Sequence, residues 1–145
     1  LGNDEKALIA AYALGTFPMK VQSLNRTLID KIFAVCDYYM QGKSQRNARH
    51  LYGIYKLSEH NVIDDEFLKL VDEVRNHRIE MGTKIAPSAP FDVDILEVVR
   101  KIGDENFYKS DYKETTIKLI SDSLNYETVM KHYEELAETI FSHIY

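Results

Sequence analysis

Lys31 stands in the middle of the stretch Arg26-Thr27-Leu28-Ile29-Asp30-Lys31-Ile32-Phe33-Ala34, whose apolar residues recur at helical spacing. On a helix, Thr27, Asp30, Lys31 and Ala34 share the side opposite the apolar face, by the i, i+3, i+4 rule. A lysine fixed there can meet a phosphate as a point charge. The plainer alternative is a surface lysine paired with a neighbouring acid. A second group follows at Arg46, Arg49 and His50, again at i, i+3, i+4, which puts two guanidiniums and an imidazole on one helix face. Arginine forks bind phosphate oxygens bidentately. Basic charge near a helix N-terminus is unfavourable, so this group asks for a compensating anion or acid. The plainer alternative here is a solvated basic face. From Tyr38 to Ser58 there is no acid, while Lys43, Arg46, Arg49 and Lys56 are basic with His50 beside them.

The elements that must position these residues read as helices. Residues 3–14 suggest a short helix stopped by Gly15. Phe17, Met19 and Val21 alternate with polar residues over 17–22, the pattern of a short edge strand with Pro18 near its start. Asn25 is the expected cap of the next helix, which runs to about Gln41 before Gly42, with Leu28, Ile32, Val35, Cys36 and Tyr39 inward. Residues 45–59 form another, with Leu51, Ile54, Tyr55 and Leu57 inward. Gly53 inside it costs about 1 kcal/mol against alanine, and either permits close packing or marks a lost side chain. Asp64 caps a helix ending near Gly82. Pro87 and Pro90 mark 83–90 as a linker. Helices over 92–102, about 105–123 and 126–143 complete the chain, the last capped by Asn125. The expected fold is mainly α, a bundle of six to seven helices with one short N-terminal edge strand at residues 17–22. Its organisation is a pocket-side region at 1–82, the linker at 83–90, and acidic helices at 91–145 packed on the first part as one domain.

Composition limits the function classes. The chain has 145 residues with 45% apolar and 28% charged, the profile of an ordinary folded domain. No apolar run approaches the length of a membrane span, so no membrane partner is expected. The first ninety residues carry 12 Lys/Arg against 11 Asp/Glu, the rest 6 against 12. That acidity argues against broad nucleic-acid affinity, which needs a basic footprint. The single Cys36 fits a reducing cytoplasm, excludes an intrachain disulfide, and sits on an apolar helix face where it reads as inert. The five histidines are scattered with no His-x₃-His pair, so no metal site is expected. No glycine-rich phosphate loop occurs. The start at Leu1-Gly2-Asn3 reads as part of a longer protein.

Arg26-Thr27-Leu28-Ile29-Asp30-Lys31, followed by a short basic loop and Arg49-His50-Leu51-Tyr52-Gly53-Ile54-Tyr55-Lys56-Leu57, resembles the AbiEii family of nucleotidyltransferase toxins from type IV toxin–antitoxin and abortive-infection systems. Residues 17–57 carry the distinctive part. Residues 64–120, including Val74-Arg75-Asn76-His77-Arg78 and Tyr108-Lys109-Ser110-Asp111-Tyr112, resemble the less diagnostic C-terminal part. The resemblance implies a DNA polymerase β-like nucleotidyltransferase whose N-terminal half holds a Gly-Gly-Thr/Ser motif and an Mg²⁺-binding Asp-x-Asp motif. Neither occurs here in the matching context. Asp92-Val93-Asp94 has the spelling of the second, but it reads as a helix cap and first-turn acid.

By the same resemblance Lys31 matches the third-motif lysine that contacts the triphosphate. Arg49 and His50 match an Arg-His pair near the same pocket, and Gly53 stands where the fourth-motif aspartate is expected. Arg26, Asp30, Arg46 and Tyr52 are accessory candidates. The chain then reads as the C-terminal helical portion of a nucleotidyltransferase, inactive by itself because metal ions must neutralise and align the triphosphate. It would bind no cofactor alone, with Mg²⁺ and NTP implied for the full-length family. Its partners would be the N-terminal core of the same polypeptide, an NTP and an RNA acceptor, with no direct antitoxin contact.

Two other readings stay open at this point. HEPN-type RNA-cleaving domains carry Arg-Asn and a later His on a helix, which Arg46-Asn47 with His50 and Arg75-Asn76-His77 echo at shorter intervals. A non-catalytic interaction module would use the acidic helices and the ten tyrosines as a packing surface, unless the tyrosines line the core.

Overall fold

The computed structural model describes residues 21–59, 61–120 and 123–142. The helix expected at 3–14 lies outside them, as do residues 17–20 of the expected strand. Val21 and Gln22, the end of that strand segment, belong to a helix. Among the described residues there is no strand, and the architecture is a mainly α bundle.

Helix α1 (Val21–Met40) is the centre of the bundle. Leu24, Leu28, Ile29, Ile32, Phe33, Val35 and Cys36 are all buried, more of the circumference than a one-sided surface helix hides. Three helices account for this: α2 (Arg49–Ser58), α3 (Asp65–Met81) and α4 (Ile95–Glu105) all pack on α1. A short helix α5 (Lys109–Asp111) runs through a π turn at Tyr112–Thr116 into α6 (Ile117–Leu119). The last helix, α7 (Tyr126–Phe141), packs on α2 and α4. It also reaches α1, where Phe141 meets Phe33 edge to face at 5.7 Å. Among the described residues no helix is long and apolar enough to cross a membrane.

Local signals set several boundaries. Asp64 accepts from Phe67 N–H and starts α3, and Gly82, with φ 92°, ends it as expected. Asp94 accepts from Glu97 N–H and Asn125 from Thr128 N–H, which starts α4 and α7. Of the pair Asp92 and Asp94, it is Asp94 that caps, inside the stretch expected to be helical from residue 92.

Other boundaries differ from the sequence reading. Asn25 lies inside α1 and caps nothing, because Val21-Gln22-Ser23-Leu24 contains no breaker and the helix continues back through it. Helix α2 begins at Arg49 instead of residue 45, because Arg46 takes a left-handed φ of 66° that a right-handed helix cannot contain. The helix expected at 92–102 is shifted to Ile95–Glu105, stopped by left-handed Asn106. The stretch 105–123 is not one helix. The Thr115 hydroxyl donates to Asp111 O, within the segment that widens into the π turn.

The tyrosines are fasteners of the core. Tyr108 and Tyr133, both fully buried, donate their hydroxyls to the α1 carbonyls of Val35 and Ile32, and Tyr112 donates to Leu124 O. Each brings a large apolar ring inside while its hydroxyl finds an acceptor. The Pro-containing stretch 83–90 is not helical, yet Ala86, Ser88 and Ala89 are buried. Arg75, also fully buried, donates from Nε to Ala89 O and from Nη2 to Pro90 O and Val93 O, so α3 straps this stretch to the bundle.

Candidate functional site

The polar side of α1 faces a cleft of about 380 Å³. Thr27, Asp30, Lys31, Ala34, Asp37 and Tyr38 line it from α1, His50 from α2, Arg78 and Met81 from α3, and Ile85 from the strap. The i, i+3, i+4 row singled out in the sequence is one wall of this cleft. Lys31 is only 6% exposed, so its four-carbon stem is covered by the bundle. His50 is buried at the start of α2, with its ring stacked on Tyr38 at 5.5 Å between centroids and 18° between planes. Lys31 and His50 therefore share one cleft although they stand on different helices.

The remaining sequence candidates are placed elsewhere. Arg49 is half-buried at the first residue of α2 and is not among the described residues lining the cleft; the same holds for half-buried Arg26 on α1. Arg46 is exposed in the turn before α2, and its backbone N–H donates to Asp111 Oδ1 at 2.9 Å. Tyr52 is buried, with the Lys56 ammonium 5.9 Å from its ring centre. Gly53 is buried one residue further along α2.

Sequence reasoning missed Asp37 and Arg78. The Arg78 guanidinium forks, with Nη1 on Asp30 Oδ1 at 3.1 Å and Nη2 on Asp37 Oδ2. Asp37 is buried and takes two further bonds from Ser88, one from N–H at 2.8 Å and one from the hydroxyl at 2.6 Å. Asp37 had a signal: it lies seven residues after Asp30, two turns along the same face. Arg78 had none beyond its presence in the run Val74–Arg78, since its role depends on how α3 crosses α1. Met81 and Ile85, both exposed, form an apolar rim.

The carboxylates of the cleft do not suit a divalent cation. Asp30 and Asp37 both hold Arg78, and among the described residues no three His, Cys, Asp or Glu side chains converge. Magnesium binding normally takes carboxylate oxygens free to ligate. Cys36 offers no nucleophile: burial pushes its thiol up to about 12, and Sγ lies 3.2 Å from the Tyr133 hydroxyl. The second Arg-Asn-His run is spent structurally, because Arg75 is inside the core on three carbonyls while Asn76 and His77 are exposed.

A lysine, an arginine and a histidine thus converge on one cleft of the helical bundle, beside the two aspartates that pair with the arginine. The AbiEii family model, described as nucleotidyl transferase AbiEii toxin of a type IV toxin–antitoxin system, matches residues 3–144. The chain belongs to that family. No curated protein and no solved structure matches it.

Proposed function

We propose that this chain is the C-terminal helical portion of a nucleotidyltransferase toxin, and that its cleft receives the triphosphate of the nucleotide whose NMP group is transferred. The observation that carries this reading is the convergence of Lys31 on α1 and His50 on α2 upon one cleft of about 380 Å³. That size falls within the range of small-molecule sites, about 300–1,000 Å³. Lys31 supplies a point charge to the phosphates, His50 a ring nitrogen beside them, and Arg49 a guanidinium at the same end of α2. Met81 and Ile85 give the mouth of the cleft an apolar edge for the less polar part of the nucleotide.

Transfer also needs Mg²⁺ to neutralise the triphosphate and align the attack. The two carboxylates of the cleft, Asp30 and Asp37, hold Arg78, so this reading puts the metal on an N-terminal core of the same polypeptide. Gly53, at the position of the family's fourth-motif aspartate, removes one more acid from this half. Exposed Lys43 and Arg46 and half-buried Arg49 and Lys56, in the acid-free window from Tyr38 to Ser58, are where an RNA acceptor would lie. No contact with an antitoxin is part of this reading.

The test is equilibrium binding of ATP, GTP, CTP and UTP to the full-length protein, with Lys31→Ala and His50→Ala beside the wild type. Loss of one charge-assisted phosphate contact weakens binding about tenfold. If both variants bind all four nucleotides as tightly as the wild type, the cleft is not the triphosphate site. Metal-dependent NMP transfer by the 145-residue chain alone would overturn the division of labour between the two halves.

A further inference from the structure

Helix α2 starts where its own sequence gives it little support. Its N-cap residue is Ala48, which makes no side-chain cap bond, and its first turn contains no acid. Arg46 and Arg49 place cations at this end, against the helix dipole. The preceding turn also requires Arg46 to sit at φ 66°, a region that side-chain-bearing residues seldom adopt.

One residue from the far side of the chain answers all of these demands. Asp111, 7% exposed, accepts from Arg46 N–H at 2.9 Å through Oδ1 and from Ala48 N–H at 3.0 Å through Oδ2. Its two oxygens thus bracket the turn, satisfy two donors at the helix start, and put a negative charge at the positive end of α2. The Thr115 hydroxyl backs the carboxylate from within the π turn, its one proton shared between Asp111 O at 2.6 Å and Oδ1 at 3.0 Å. His50 follows Ala48 by two residues. A slip of one residue in the start of α2 would rotate its face by about 100° and carry the imidazole away from Tyr38 and the cleft.

We propose that Asp111 is a positioning residue for the cleft, fixing the start of α2 so that His50 is presented to the bound anion. The proposal rests on the phosphate reading of the cleft and extends it to a residue 63 positions from Ala48 in the chain. It differs from simple capping in that the effect is read at His50 and at the ligand, and not only in the stability of α2.

The experiment uses the full chain with Asp111→Asn, followed by the His50 ring resonances in NMR and by calorimetric binding of inorganic tripolyphosphate. Asp94→Asn is the control, since Asp94 caps α4 in the ordinary way and lines no part of the cleft. Asp111→Asn is expected to shift the His50 resonances and to weaken tripolyphosphate about fivefold, the equivalent of one lost cap. The double variant with His50→Ala binds no more weakly than His50→Ala alone, and Asp94→Asn changes neither reading. Unchanged His50 resonances in Asp111→Asn, or an equal shift in Asp94→Asn, would overturn the proposal. Should Asp111→Asn fail to fold, Thr115→Val removes the bond to Oδ1 at an exposed position and takes the same readings by the same criteria. If the wild type does not bind tripolyphosphate, the phosphate reading falls, while the resonances still decide the role of Asp111.

Discussion

Arg78 holds Asp37 from across the cleft, and the pair joins α3 to α1 at the cleft wall. Both side chains are nearly covered, at 11% and 3% exposed. Removing one partner of such a pair leaves a buried charge without its counter-charge. Arg78→Met is therefore expected to lower the unfolding free energy by about 3 kcal/mol, measured by urea denaturation. Adding Asp37→Asn to that variant should recover part of the loss. Strict additivity of the two substitutions would refute the coupling.

His132 gives the fold a pH dependence. It stands on α7 against Ser58 of α2, with the Tyr55 ring at 4.9 Å. Burial lowers its pKa below 6.5, and this outweighs the upward pull of Glu135 and Glu59. A histidine whose folded pKa is depressed favours the neutral form in the folded state. Its contribution is whole above pH 6.5 and is lost as pH falls through the folded value. Urea midpoints should drop as pH falls below 6.5 in the wild type, and less so in His132→Gln. Equal slopes for both proteins would show that another group is responsible.

Cys36 should resist modification. Its thiol is fully covered and pushed up to about 12, so almost no thiolate is present at neutral pH. Labelling with iodoacetamide is expected only when the chain unfolds, at a rate that follows denaturant concentration. Rapid labelling of the native protein would contradict the placement of Cys36 beneath Tyr133.

Gly103 is replaceable. A Cβ there would lie 3.2 Å from Glu134 Oε2 and 3.7 Å from Met130 Cε. Glu134 is exposed, so its flexible end can swing aside, and burial already raises its carboxyl pKa. Gly103→Ala removes a glycine from the interior of α4, which favours the helix by about 0.5–1 kcal/mol. The thermal midpoint should rise. A fall would mean that Met130 cannot yield.

How much of this was legible in the sequence follows from the range of the forces involved. Asp64, Gly82, Asp94 and Asn125 act on backbone groups within a few residues, so α3, α4 and α7 announce their own starts or stops. The face Thr27, Asp30, Lys31, Ala34 is equally local, being fixed by helical periodicity. Whether that face meets solvent or a cleft is not local, because it depends on where α2 and α3 cross α1. Arg78 is invisible for that reason. The start of α2 is hidden too, since the acid that its basic N-terminus asks for comes from Asp111, 63 positions along the chain from Ala48. Of the edge strand expected at 17–22 only Val21 and Gln22 are described, and both join the helix that follows, because alternation over so few residues does not outweigh a helix running back without a breaker.

The strap held by Arg75 has a consequence for which substitutions it will accept. Arg75 binds Ala89, Pro90 and Val93 through main-chain carbonyls, and every residue type carries one of these. Donors are engaged at Ile85, Ala86, Ser88, Ala89 and Val93: Ser88 N–H serves Asp37, and the others bond to the carbonyls of Gly82, Ala86 and Pro90. The two prolines stand at 87 and 90, in the gaps between those donors. The path of the strap is thus specified by main-chain groups, acceptors that no mutation removes and donors that only proline removes, while buried Ala86 and the Phe91 ring, 4.8 Å from the Arg75 guanidinium, limit its side chains. Proline scanning of 83–93 would trace that division, with intolerance confined to the residues whose N–H is engaged.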